Sequence, residues 1–155
     1  MVAQHSGRFL KSRALLGSLL LAVCAAPLHA QSAEGRIGNL IVSGASARAT
    51  PPGATVGAIY FTVRNAGASA DRLDSVSAPI ARSVQIHATS SVHGVMQMRE
   101  VDGVECPAGA TVKAEPGGLH VMLIGLSAPL TLGSAFTVSL QFHAAGVLTL
   151  KVPVT

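Results

Sequence analysis

The chain reads as all-β, a single antiparallel Greek-key sandwich or barrel. Short segments that alternate apolar and polar residues recur at intervals of roughly ten residues, the spacing of sandwiches and barrels rather than of helical folds. Turn residues separate these segments, and no stretch of the mature region is long enough with a helical period. There are no internal repeats, charge blocks or linkers, so one domain from residue 31 to 155 is expected.

Ile37 to Val42 is the first candidate strand. The second follows Pro51-Pro52-Gly53 and precedes Asn65-Ala66-Gly67: Ile59, Phe61 and Val63 alternate with Tyr60, Thr62 and Arg64. Arg72 to Val76, Ser83 to His87, Val95 to Arg99, Thr111 to Ala114 and Leu119 to Ile124 come next, each bounded by turn residues. The clearest segment is Phe136 to His143, with Phe136, Val138, Leu140 and Phe142 on one face. Ala144-Ala145-Gly146 then turns the chain into Val147 to Val152, which completes a C-terminal hairpin.

Residues 1–30 have the layout of a secretory signal peptide: Arg8, Lys11 and Arg13 precede an apolar run from Ala14 to Ala26, with small residues near Ala30. The run is short for a membrane span, and no second one follows, so no stable membrane insertion is expected. Leu21-Ala22-Val23-Cys24 faintly resembles a lipoprotein box, but Val23 argues against lipidation. The leader carries three of the eleven Lys and Arg residues, which leaves eight against seven acids. Near-neutral charge gives no support to nucleic-acid binding. Cys106 is the one cysteine of the mature chain, so no internal disulfide is possible there, and a packed, inert thiol is its expected state.

The chemistry concentrates in the methionines. Apart from Met1, all three (Met96, Met98 and Met122) lie between His87 and the end of His120-Val121-Met122. Thioethers are poor ligands for magnesium, calcium or manganese, whereas thioether with imidazole suits copper, above all Cu(I). Strand phase separates these residues from the core. Val84 and Ile86 face one way and His87 the other, while Leu119, Val121 and Leu123 face the core and His120 and Met122 project together from the opposite side. Turns at His93-Gly94 and Pro116-Gly117-Gly118 stand beside these strands and can gather the ligands at one edge of a sheet.

These residues resemble the PCu(A)C family of periplasmic copper chaperones. Its pattern is His, ten residues, Met, twenty-one residues, His, one residue, Met; residues 88 to 97, 99 to 119 and Val121 fill those gaps between His87, Met98, His120 and Met122. The likeness extends through Gly94-Val95-Met96-Gln97-Met98-Arg99 and Met122-Leu123-Ile124-Gly125-Leu126. The resemblance implies a cupredoxin-like β-barrel that binds one Cu(I) through two imidazoles and two thioethers. It also implies delivery to a copper-receiving protein, the copper subunit of cytochrome c oxidase or its assembly factor, and action as a monomer in the periplasm. Ala88 stands where some relatives have methionine, and no His- and Met-rich tail extends beyond Thr155, so no auxiliary Cu(II) site is expected.

The ligand chemistry stands independently of the family. A thioether needs no deprotonation and forms no disulfide, so it holds Cu(I) exchangeably where a cysteine pair would oxidise. Met96 is expected either as an auxiliary ligand or as a hydrophobic rim. His93 and His143 are expected to be solvated, and Arg99, Glu100, Asp102 and Glu105 to form a solvated edge. A blue-copper electron carrier is the alternative, but it needs a thiolate closely followed by His and then Met, and Cys106 lies fourteen positions before His120. A general copper scavenger is a further alternative. No acid/base pair, nucleophile or three-histidine cluster marks the chain as an enzyme.

Overall fold

Alternating apolar residues produce eleven strands in the computed structural model, which describes Met1 and residues 32–155. Residues 2–31, which include the segment expected to be a signal peptide, lie outside the described residues. The strands are β1 (Ala33–Ile37), β2 (Leu40–Ala47), β3 (Val56–Asn65), β4 (Asp71–Ser77), β5 (Ala81–Val92), β6 (Val95–Glu100), β7 (Val104–Cys106), β8 (Thr111–Ala114), β9 (Leu119–Leu126), β10 (Ala135–Phe142) and β11 (Gly146–Pro153). They form a seven-stranded sheet, β1-β2-β3-β8-β9-β5-β6, and a four-stranded sheet, β11-β10-β4-β7. The chain changes sheet five times along its length, as the Greek-key expectation requires.

The core lies between the sheets. Val42, Ile59, Phe61, Val63, Val121 and Leu123 enter it from the larger sheet; Leu73, Val76, Val138, Leu140, Phe142 and Val152 enter from the smaller. Burying each such side chain contributes roughly 1.5 to 3 kcal/mol, so this layer is the main source of stability. Asn65 is the buried polar exception in the frame. Its Nδ2 donates to the carbonyls of Ser69 and Cys106 at 2.8 and 2.9 Å, and its Oδ1 accepts the Gly67 N–H at 2.9 Å. These bonds tie the end of β3 to β7 in the opposite sheet.

Four details depart from the sequence reading. Ile37 to Val42 straddles a turn at Gly38-Asn39, where Gly38 has a φ of 54°, so two strands replace one. β5 runs five residues beyond His87 to Val92, through Thr89-Ser90-Ser91, whose lack of apolar alternation hid it. β7 is three residues long with Glu105 at its centre, too short to show a period. Pairing is also not wholly antiparallel. β8 and β9 both run antiparallel to β3, against Phe61–Arg64 and Val56–Ile59 respectively, with the Pro116-Gly117-Gly118 turn looping out between them; Ala114 and Leu119 therefore meet in a parallel bridge.

Candidate metal centre

Register brings the proposed ligands to the outward face of the larger sheet. His87 of β5 lies directly opposite His120 of β9, and Met122 lies between Gln85 of β5 and Ala58 of β3. On the other side of β5, Glu100 opposes His87 and Met98 opposes Thr89. Directly opposed residues share a face with Cβ atoms about 4.5 to 5.5 Å apart, so the two histidines and two methionines stand on neighbouring positions of one surface. The His87 and His120 rings meet tilted at 59°, with centroids 5.8 Å apart.

β6 is carried by a two-residue hairpin in which His93 (φ 52°) and Gly94 (φ 81°) are both left-handed, the conformation that matches strand twist in a tight hairpin. β6 forms the free edge of the sheet and is exposed throughout. Met98 is 56% exposed and Met96 62%. His120, by contrast, is only 7% exposed although it faces away from the core. The Arg48-Ala49-Thr50 segment helps to wall it in: the Ala49 N–H donates to the Thr155 carbonyl, the Thr50 N–H to the Leu130 carbonyl, and the Leu130 N–H to Thr50 Oγ1, each at 2.9 Å.

The result is a cleft of about 310 Å³ whose lining includes Met98, His120, Met122, Tyr60 and Arg48. Three of the four proposed ligands line it. His87 does not, and reaches the group through its ring contact with His120. Met96 does not line it either; it lies farther out on the β5–β6 hairpin, opposite Ser91.

Hydrogen bonds fix both imidazoles. His120 Nδ1 donates to the Gly118 carbonyl at 3.0 Å, which leaves Nε2 with the lone pair. The same carbonyl accepts the Thr89 N–H at 3.2 Å, so the turn before β9 orients the ring. His87 Nε2 donates to Gln85 Oε1 at 3.0 Å, leaving Nδ1 as the acceptor, and that atom is buried with no hydrogen-bond partner. A histidine whose other nitrogen donates to a carbonyl or amide oxygen is the usual form of a metal ligand. An unpartnered buried lone pair costs about 1 to 3 kcal/mol, which a bound ion can recover. Neither Gln85 nor the Gly118 carbonyl was singled out from sequence; the available signal was that Gln85 precedes His87 by two residues and so shares its face.

The expected donors, two imidazoles and two thioethers, are neutral, and Arg48 is the one charged side chain lining the cleft. Such donors fit a soft monovalent ion better than a hard divalent one. Among the described residues no group of three or more His, Cys, Asp or Glu side chains is arranged to hold a metal. Cys106 sits in β7 of the opposite sheet and is 1% exposed. Burial pushes its thiol above the ordinary range, nearby Asp71 and Glu105 reinforce this, and a Leu73 N–H partly opposes it. It is packed, as expected from sequence, and lies on the sheet that does not carry the histidines.

His143 and Glu105 are exposed, as expected, and each also has a charged partner. His143 falls in the turn after β10, and its Nδ1 lies 3.2 Å from Asp74 Oδ2. Glu105 pairs with Arg72 Nε at 3.1 Å, and Arg72 Nη1 also reaches Asp74 at 3.2 Å. Both residues thus belong to a charged cluster on the smaller sheet. His93 is exposed in its turn, as expected.

Comparison with known proteins agrees with this fold. Residues 40–154 match the family model described as "LpqE-like: Putative lipoprotein LpqE-like". The "Putative lipoprotein Lxx21020" of Leifsonia xyli subsp. xyli is 34% identical over 151 residues, covering 95% of this chain and 90% of the relative. Cys24 lies outside the described residues. Among solved structures, the copper-bound PCuAC domain from PmoF2 is 30% identical with a TM-score of 0.68, covering 78% of this chain and 96% of that one. The solution structure of CuI-DR1885 from Deinococcus radiodurans is 27% identical with a TM-score of 0.62, covering 79% and 80% respectively. The chain belongs to the LpqE-like family and carries a domain of the PCuAC type.

Proposed function

We propose that this protein is an exported copper chaperone. It binds one Cu(I) through His87, Met98, His120 and Met122 and passes it to a copper-receiving protein. The observation that carries this reading is the pair of oriented imidazoles beside two thioethers on one sheet face, each ring with one nitrogen committed to a fixed acceptor. The copper-bound state of the PmoF2 PCuAC domain and the Cu(I) form of DR1885 support the identity of the ion.

The chain's own residues explain why such a site holds and releases its cargo. Neutral ligands add no negative charge, so the monovalent ion is favoured over Cu(II). Gln85 and the Gly118 carbonyl hold the imidazoles in binding tautomers, while Met98 on an exposed edge strand is the ligand that most easily gives way to an incoming donor. Export to the periplasm rests on the leader read over residues 1–30 and on the lipoprotein description of the relative. The recipient proposed is the copper subunit of cytochrome c oxidase or its assembly factor, with the protein acting as a monomer. Met96 serves as a hydrophobic rim or stand-in thioether.

The test is a Cu(I) titration against a competing chromophoric chelator, run on the mature protein and on His120→Ala. One Cu(I) per chain for the parent and a large loss of affinity in the variant are expected. Equal affinity in the two would remove the imidazole from the site.

A further inference from the structure

A single arginine stands in the wall of the cleft. Arg48 lines it together with Met98, His120 and Met122, and no Lys, Asp, Glu or second Arg does. Its place there is set by the backbone on either side. The Ala47 carbonyl accepts the Thr155 N–H at 2.8 Å, and the Ala49 N–H donates to the Thr155 carbonyl at 2.9 Å. Ala47 is also bridged to Val154, and Thr50 is tied to Leu130 by a bond in each direction. Arg48 is thus carried on a segment pinned at both ends, while its side chain is exposed to solvent. It enters none of the ion pairs among the described residues, so no carboxylate neutralises it.

Two acids share the outward side of this sheet. Glu100 lies directly opposite His87, and Glu115 follows β8. Both are exposed and neither lines the cleft. They draw cations to the face from outside, whereas Arg48 opposes positive charge from within the wall. The free energy of an ion in this field scales with the ion's charge, so a cation in the wall penalises a divalent ion twice as much as a monovalent one.

We infer that Arg48 determines valence specificity: its positive charge at the cleft wall discriminates against Cu(II) in favour of Cu(I). The inference rests on the copper-chaperone reading above and adds a residue outside the ligand set that governs which oxidation state is carried. Imidazole and thioether donors select the ion by softness, and imidazole alone also suits Cu(II). A fixed charge beside them selects by valence without occupying a coordination position.

The test compares the mature protein with Arg48→Gln and Arg48→Lys. Affinities for Cu(I) and for Cu(II) are measured separately, each against a competing chelator, at low and high salt. In Arg48→Gln the Cu(I) affinity should rise about 3-fold and the Cu(II) affinity about 10-fold, the square that a doubled charge requires, so selectivity for Cu(I) falls about 3-fold. Arg48→Lys keeps the charge and should keep the parental selectivity. The difference between Arg48→Gln and the parent should narrow at high salt, because an exposed charge is screened. A merely structural change in the wall would be indifferent to salt and would not be rescued by lysine. Unchanged selectivity in Arg48→Gln, or an equal loss in Arg48→Lys, would overturn the assignment while leaving the copper reading intact. A parent protein that takes up no Cu(I) would instead remove the copper reading, and this inference with it.

Discussion

Gln85 Oε1 accepts the Nε2–H of His87 at 3.0 Å, and this one bond leaves Nδ1 of the ring buried and without a partner. Gln85 therefore sets which nitrogen of His87 is available to a metal, as the Gly118 carbonyl does for His120 through the opposite nitrogen. Replacing Gln85 by Leu frees the ring to change tautomer and orientation. Loss of such an outer partner typically costs 10- to 100-fold in metal affinity, so Gln85→Leu should lower Cu(I) affinity by at least about 10-fold. Nitrogen-15 NMR of the metal-free protein should show His87 protonated at Nε2 in the parent and a tautomer mixture in the variant. A single unchanged tautomer would remove the assigned role.

Met98 should show binding without stability. Its side chain is 56% exposed on the edge strand β6, so Met98→Ala forfeits little packing. Its melting point without metal should match the parent within about 0.5 kcal/mol of stability, against about 2 to 5 for a buried Met→Ala. Cu(I) affinity measured by chelator competition should fall sharply. The opposite pattern, lost stability with parental binding, would make Met98 a packing residue.

Asn65 should behave in reverse. Asn65→Ala leaves the Ser69 and Cys106 carbonyls and the Gly67 N–H without their side-chain partner, at a cost of about 1 to 3 kcal/mol. Urea unfolding should register that loss while one Cu(I) still binds. Parental stability would mean that water replaces all three bonds.

Comparing these residues shows what was legible in the sequence. The strand phase of the proposed ligands was readable because His120 and Met122 share the face opposite Val121 and Leu123, and period two places such residues regardless of the rest of the fold. His120's burial was not readable, since it comes partly from residues 48–50 folding over the face through bonds to Leu130 and Thr155, far away in the chain. Nor was the pairing of His143 with Asp74, because a turn and a strand of different hairpins meet only in three dimensions. β1 and β2 were merged because one exposed glycine turn interrupts an otherwise continuous apolar run.

Asp71 gives the fold an acid-sensitive anchor. Burial acts to raise its pKa, but N–H donors of Ala144, Arg72 and Ala145, with His143 nearby, outweigh it and hold the carboxyl below its ordinary value of 3.8. A depressed folded-state pKa contributes stability that is fully present above the unfolded value and is lost as pH falls through the folded one. Urea midpoints should therefore fall as pH drops below about 4, and Asp71→Asn should show a smaller drop over that interval. Equal slopes for parent and variant would dismiss the anchor.

Cys106 separates the copper readings most directly. An intense blue band requires a thiolate on Cu(II). The Cys106 thiol is 1% exposed, held protonated by burial and the nearby carboxylates, and built into β7 on the sheet that does not carry His87 and His120. Reaching the histidines would require unpairing Cys106 from Asp71 and breaking the Asn65 bond to its carbonyl. The mature protein should give no intense visible band with Cu(II), and Cys106→Ser should bind Cu(I) with parental affinity. The folded thiol should also resist an aromatic disulfide reagent at pH 8 and react fully once the chain is unfolded in urea. A blue band abolished by Cys106→Ser would mean that the chain rearranges around the metal into an electron-transfer site. An unchanged copper affinity together with a protected thiol leaves the two imidazoles and two thioethers as the ligand set.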